Sequence, residues 1–93
     1  MTSGRSLGWS VEFHKSARKA LRKLPRKLAA RLVVTVESLP GNPFPVGAEP
    51  LKGFSNAYPV RVGDYRIVYT LDRNSRRILV THIGHRKQVY RNL

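Results

Sequence analysis

No cysteine occurs among the 93 residues of this chain, which excludes a disulfide framework, a thiolate metal site and a thiol nucleophile. Acidic residues are scarce: Glu12, Glu37, Glu49, Asp64 and Asp72 are the only five. Scattered so widely, they offer no tight carboxylate cluster for a two-metal nuclease. The three histidines, His14, His82 and His85, lack the spacing of a zinc motif. No glycine-rich phosphate loop followed by Lys-Ser/Thr is present. Any hydrolysis or transfer is therefore expected to proceed without a metal or an organic cofactor. No apolar run approaches the ~20 residues that cross a bilayer, so no membrane role is expected. The first eight residues, MTSGRSLG, have neither the apolar core nor the cleavage pattern of a signal peptide. They are expected to be flexible, and the expected location is the cytoplasm.

What is abundant is positive charge. Eighteen Lys and Arg against those five acids give a formal net charge of +13. Such a field attracts polyanions and speeds encounter with them. Acidic proteins and anionic membranes also attract basic chains, but a nucleic acid or nucleoprotein is the first expectation. The length corresponds to one domain, residues 1–93. A domain of this size buries only about 60–65% of the surface its unfolded chain exposes, so a bound partner matters to its stability.

Residues 9–14 (WSVEFH) alternate apolar and polar, which predicts a first strand. From Ser16, the expected N-cap, the period changes. Ala17, Ala20, Leu21 and Leu24 form one helical stripe with Arg18, Lys19, Arg22 and Lys23 outside it. Pro25 stops that helix and opens the next, whose apolar face runs through Leu28, Leu32, Val36 and Leu39 to Pro40-Gly41. Residues 41–50 (GNPFPVGAEP) hold too many breakers for a regular element. Three strands are predicted in residues 58–90, turning at Gly63-Asp64, where glycine accepts the positive φ of a tight hairpin, and again at Asp72-Arg73-Asn74-Ser75. Strand, two helices and three further strands imply an α+β domain, with the helix pair on one sheet face and the other face open to a ligand.

RNA carries its own nucleophile, the 2′-hydroxyl. A protein promotes its attack on the adjacent phosphate by orienting it, stabilising charge on phosphorus and moving protons. Arginine matches phosphate oxygens with a fixed fork of donors, histidine serves acid–base transfer near neutral pH, and an aromatic ring stacks on a splayed base. Arg61, Arg66, His85, Arg86 and Tyr90 supply all three types, with Lys52 and Lys87 as further RNA-contact candidates. Each has a plainer reading. Arg66 can pair with Asp64 or Asp72 on the surface, Arg61 can simply face solvent, and Tyr90 can pack the C-terminal turn on the sheet. His82 alternates with Ile78 and Val80 and reads as structural, while Tyr65 and Tyr69 share the face of Ile67 and Leu71 and read as core.

At WSVEFHKSARKALRKLP, LKG, YPVRVGDYRIVY and IGHRKQVY, in this order along nearly the whole chain, the sequence resembles the RelE/ParE superfamily of bacterial toxin–antitoxin toxins. The RelE branch, small toxins that cut messenger RNA in the ribosomal A site, is the better likeness. The resemblance implies a helix hairpin packed on a four-stranded, mainly antiparallel sheet. It implies that Arg61 supports the nucleophile or scissile phosphate, Arg66 stabilises the transition state, Arg86 assists leaving-group protonation and Tyr90 stacks on the substrate base. His85 is an alternative acid. Two residues before Arg61, where the family commonly has lysine, this chain has Pro59, which leaves the general base open. Lys52 lies outside the strand. Implied partners are an acidic, RelB-like antitoxin, the ribosome and mRNA, and operator DNA contacted through the antitoxin. The alternative from the same superfamily is the ParE branch, which poisons DNA gyrase and has no nuclease activity.

Overall fold

The computed structural model describes residues 8–43, 49–54 and 56–89. Of the segment expected to be flexible, only Gly8 falls among them, and Tyr90 lies outside them. Seven elements follow in order: β1 (Ser10–Phe13), α1 (Lys15–Arg22), α2 (Arg26–Ser38), a 3₁₀ turn (Leu39–Gly41), β2 (Ala57–Val62), β3 (Tyr65–Asp72) and β4 (Arg77–His85). The sheet order is β1-β4-β3-β2, with β1 parallel to β4 and the other pairs antiparallel. The helix pair covers one face, as expected from the change of period at Ser16 and the second apolar face after Pro25. No helix among the described residues is long and apolar enough to cross a membrane.

Helix α1 is capped by His14, not by the expected Ser16: the His14 Nδ1 accepts the Ser16 backbone N–H at 3.1 Å. The Ser16 hydroxyl is used instead to reach β4, donating to the Thr81 carbonyl at 3.1 Å. Arg18 closes the end of β1 through a bond from Nη2 to the Phe13 carbonyl. Pro25 is the N-cap of α2, in an extended conformation that stops α1 and starts α2 without a lost N–H.

Between helices and sheet, Ala17, Leu32, Val36 and Leu39 meet Tyr58, Val62, Ile67, Tyr69, Leu71, Ile78, Val80 and Ile83. Tyr69 is fully buried and donates its hydroxyl to the Pro43 carbonyl at 2.9 Å. Burial, reinforced by neighbouring Tyr58, pushes its phenol up to about 12. Truncating Leu32 or Ile67 to alanine in this layer costs about 2–5 kcal/mol, because the cavity left behind cannot fully collapse.

The β3–β4 ladder carries an irregularity with consequences for the site. Val68 pairs with His82 and Tyr69 with Val80, so Thr81 is one residue too many on β4. The alternation that begins Ile78, Val80 therefore resumes at Ile83, which is buried against the helices beside Ile67. His82 moves to the opposite face, across from Val68. The expectation that His82 shares the face of Ile78 and Val80 is corrected: strict alternation fails wherever a bulge adds a residue. The Thr81 hydroxyl donates to the Val68 carbonyl at 3.2 Å, and Ser16 holds the Thr81 carbonyl, so the extra residue is bonded on both sides.

Candidate functional site

The face away from the helices is organised by cross-strand rows, because side chains directly opposite in a sheet share a face. One row is Arg61–Arg66–Gly84, and the next is Pro59–Val68–His82. Arg61 and Arg66 flank the Gly63-Asp64 turn on β2 and β3. This places the two guanidinium-bearing residues opposite one another, with Cβ atoms ~4.5–5.5 Å apart. Gly63 has a φ of 59°, the left-handed value a tight hairpin requires. Arg66 is half-buried and curls back over the turn, donating from Nη1 to the carbonyls of Tyr65 at 3.2 Å and Gly63 at 3.4 Å. Its Nε and Nη2 donors remain for an anion. Arg61 is exposed and makes no hydrogen bond or ion pair among the described residues.

Arg86 joins this end of the face through the backbone. Its N–H donates to the Asp64 carbonyl at 2.8 Å, docking the chain after β4 onto the hairpin turn. Its Nε lies 3.9 Å from the Asp64 carboxylate, with both side chains more than half exposed. Such a contact is worth little and leaves Arg86 available. After the turn, Val89 packs with Ala57 and Val68 in a small second cluster, with Leu51 against it. Val89 lies over Gly84, where an added Cβ would meet the valine Cβ at 3.5 Å.

The remaining expected residues divide. Lys52 is exposed in a turn next to Leu51, whose N–H donates to the Ala57 carbonyl at 2.7 Å, so it borders the open face at the β2 edge. Lys87 is exposed, and its backbone N–H donates to the His85 Nδ1 at 3.2 Å. His85 itself pairs with Tyr65, their rings edge to face with centroids 5.6 Å apart. Tyr65 packs on the helix-side core, so the His85 ring is on the other side of the sheet from Arg61 and Arg66. The imidazole on their face is that of His82. Sequence reasoning missed it because the signal is a ladder irregularity, and nothing in THIGH announces where the extra residue falls.

The site thus offers two arginines in direct opposition, a third tied to their turn, and an imidazole one row away. That arrangement suits a phosphodiester held across the end of the sheet, since each guanidinium can donate to non-bridging oxygens.

Residues 11–90 match the family described as "ParE toxin of type II toxin-antitoxin system, parDE". The putative toxin RelE1 of Methanocaldococcus jannaschii is 32% identical over 87 residues, covering 90% of this chain and 97% of the relative. Toxin RelE of Mycobacterium tuberculosis is 33% identical over 84 residues, covering 89% and 87%. Among solved structures, the toxin–antitoxin complex RelBE2 from Mycobacterium tuberculosis superposes with a TM-score of 0.74 at 28% identity, covering 83% of this chain and 90% of that one. With its strand–helix–helix–three-strand order and the arginine-lined open face, the chain belongs to the RelE/ParE superfamily of type II toxin–antitoxin toxins.

Proposed function

We propose that this toxin is a ribosome-dependent endoribonuclease that cuts mRNA in the A site and so blocks translation. The observation that carries this reading is the opposed pair Arg61 and Arg66 on the open face. Like charges directly opposite in a sheet are destabilising, and an anion between them reverses the sign of their contribution. In the reaction, the 2′-hydroxyl attacks the adjacent phosphorus in line, and the product carries a 2′,3′-cyclic phosphate. Arg66 donates to the non-bridging oxygens as negative charge builds there, Arg61 holds the same phosphate from β2, and Arg86 steadies the departing 5′-oxygen. Lys52 and Lys87 add phosphate contacts along the strand. Tyr90, just beyond the described residues, is retained as the stacking partner of a substrate base. No step calls on a metal ion.

The net charge of +13 supports docking on ribosomal RNA through many weak contacts that salt screens strongly. A free toxin harms its host, so the partner is an acidic antitoxin whose segment folds as it covers the cationic surface. The toxin–antitoxin complex binds operator DNA through the antitoxin. All of this takes place in the cytoplasm.

The test incubates purified protein with programmed ribosomes in EDTA and maps mRNA 3′ ends by primer extension. Cleavage at the A-site codon is expected, and absence of any cut overturns the nuclease reading. The match to the ParE family over residues 11–90 favours a second reading, poisoning of DNA gyrase. Its signature is gyrase-linked DNA breaks with intact mRNA.

A further inference from the structure

We propose that Val89 is a positioning residue for the open-face site, seating the turn after β4 on the sheet so that Arg86 is fixed beside the Arg61–Arg66 pair. This assignment rests on the RNA-cleaving reading above. The chain leaves β4 at His85 and turns through residues 86–89. Arg86, Lys87 and Gln88 are exposed there, whereas Val89 is buried, at 5% exposure. Its partners stand on three strands: Ala57 on β2, Val68 on β3 and Gly84 on β4. Ala57 and Val68 are themselves buried, and Leu51 packs against the cluster from the segment before β2. Gly84 lets the turn come down, since a Cβ there would meet the Val89 Cβ at 3.5 Å and its Cα at 3.6 Å. The face that carries Arg61 and Arg66 thus also carries a dry patch, and the chain after β4 supplies its cover.

What this plug fixes is Arg86. Two bonds tie the turn only to the strand it has just left: Gln88 N–H donates to the His85 carbonyl at 2.8 Å, and Lys87 N–H to the His85 Nδ1 at 3.2 Å. The tie across the sheet runs from Arg86 N–H to the Asp64 carbonyl at 2.8 Å, in the loop between Arg61 and Arg66. The guanidinium itself adds little, its Nε being 3.9 Å from an exposed Asp64 carboxylate. A backbone bond that replaces one to water brings a modest net gain, whereas burying a valine removes apolar surface from water outright. The turn is held at both ends, Arg86 on the hairpin and Val89 in the cluster. With Val89 cut back, the Arg86 bond stands alone and the guanidinium can swing away from the phosphate. A misplacement of about 1 Å is enough to cost ~100-fold in rate.

Val89 touches no reacting group. It acts through Arg86, which steadies the departing 5′-oxygen, so the two residues work as one unit: once Arg86 is gone, Val89 has nothing left to position. A valine that only stabilised the fold would act independently of Arg86, and its loss would multiply with that of the arginine.

The experiment follows single-turnover cleavage on programmed ribosomes, below the melting temperature of every variant, for wild type, Val89→Ala, Arg86→Ala and the double variant. Val36→Ala is the packing control, a fully buried valine of α2 in the helix-side core. Val89→Ala is expected to lose about 10-fold or more in rate, and Arg86→Ala about 100-fold. The double variant is expected to stay within about threefold of Arg86→Ala alone. Val36→Ala is expected to melt lower yet to cut within about threefold of wild type. Val89→Thr, which keeps the shape but puts a hydroxyl in the apolar cluster, takes the place of Val89→Ala should alanine prevent folding. Losses that multiply in the double variant, an equal loss in Val36→Ala, or wild-type cleavage in Val89→Ala or Arg86→Ala overturn the assignment and leave the nuclease reading standing. Wild-type protein that cuts nothing overturns both. Amide exchange gives a test independent of cleavage: the Arg86 N–H is expected to exchange about tenfold or more faster in Val89→Ala, with the amides of β3 unchanged. An Arg86 N–H that exchanges as in wild type overturns the proposal.

Discussion

The open face of the sheet has two ends, and arginines at the two ends are treated differently. At the β3–β4 end, Arg77 pairs in register with Asp72 on β3 and donates from Nη2 to both carboxylate oxygens of Glu12 on β1, at 2.9 and 3.0 Å. At the hairpin end, Arg61 faces Arg66, and the carboxylate of Asp64 lies off to the side with Arg86. The first end is a surface ion pair, both of whose side chains are more than half exposed, and it contributes to stability only modestly. The second keeps two like charges in opposition, an arrangement that folding alone does not favour. On the proposed reading, side chains that stabilise the sheet and side chains that take an anion are told apart by what stands across the strand.

The sharpest way to break this comparison is to exchange the arginines' fates. Arg66→Ala is expected to lower A-site cleavage by about 100-fold or more, the range seen when a donor to developing charge is removed. Arg77→Ala, on the same face, is expected to stay within about threefold. Equal losses at both positions, read by primer extension, end the distinction.

Salt dependence sharpens it next. If Arg61 contacts a phosphate, Arg61→Ala is expected to reduce the slope of log affinity against log salt for single-stranded RNA by about 0.7, the value of one released counterion. Arg77→Ala is expected to leave the slope unchanged, as measured by fluorescence titration between low and moderate salt.

A smaller effect concerns stability, with opposite signs at the two ends. Arg61→Thr is expected to stabilise the free protein by about 0.5 kcal/mol, because it removes a like-charge pair. Arg77→Thr is expected to destabilise it by a similar amount, through loss of an exposed ion pair. Thermal melts at low ionic strength read both shifts, and added sulfate should shrink the gain from Arg61→Thr.

The smallest effect lies in acid. The Asp72 carboxyl is held below the ordinary carboxyl value of 3.8, first by the Ser75 backbone N–H and hydroxyl, then by the Asn74 N–H and by Arg77. A carboxylate lowered in the folded state contributes stability that is complete above 3.8 and is lost as pH falls through the lowered value. Melting temperatures of wild type and Asp72→Asn should therefore differ slightly at pH 5 and converge only once the pH has fallen through that lowered value. A gap that stays constant into acid would contradict this account.

Much of the frame was readable in advance. The stripe Ala17, Ala20, Leu21, Leu24, the break at Pro25 and the Gly63-Asp64 turn each act within a few residues, where steric and periodic rules hold. Arg61 and Arg66 were legible as residues on either side of that turn, and the strand register then set them directly opposite each other. The histidines were not. Choosing between His82 and His85 depends on the single extra residue at Thr81, and its cost is met by bonds from Ser16 and to Val68, 65 and 13 positions away.

The sequence alone determined the elements, their order, the surplus of positive charge and the arginine pair flanking the hairpin, because these follow from local conformation and composition. Only the tertiary structure decided that β1 runs parallel beside β4, that β4 gains a residue against β3, and that His82 consequently shares a face with Arg61 and Arg66 while His85 does not. Those outcomes depend on bonds between strands and a helix far apart in the chain, and no local periodicity encodes them.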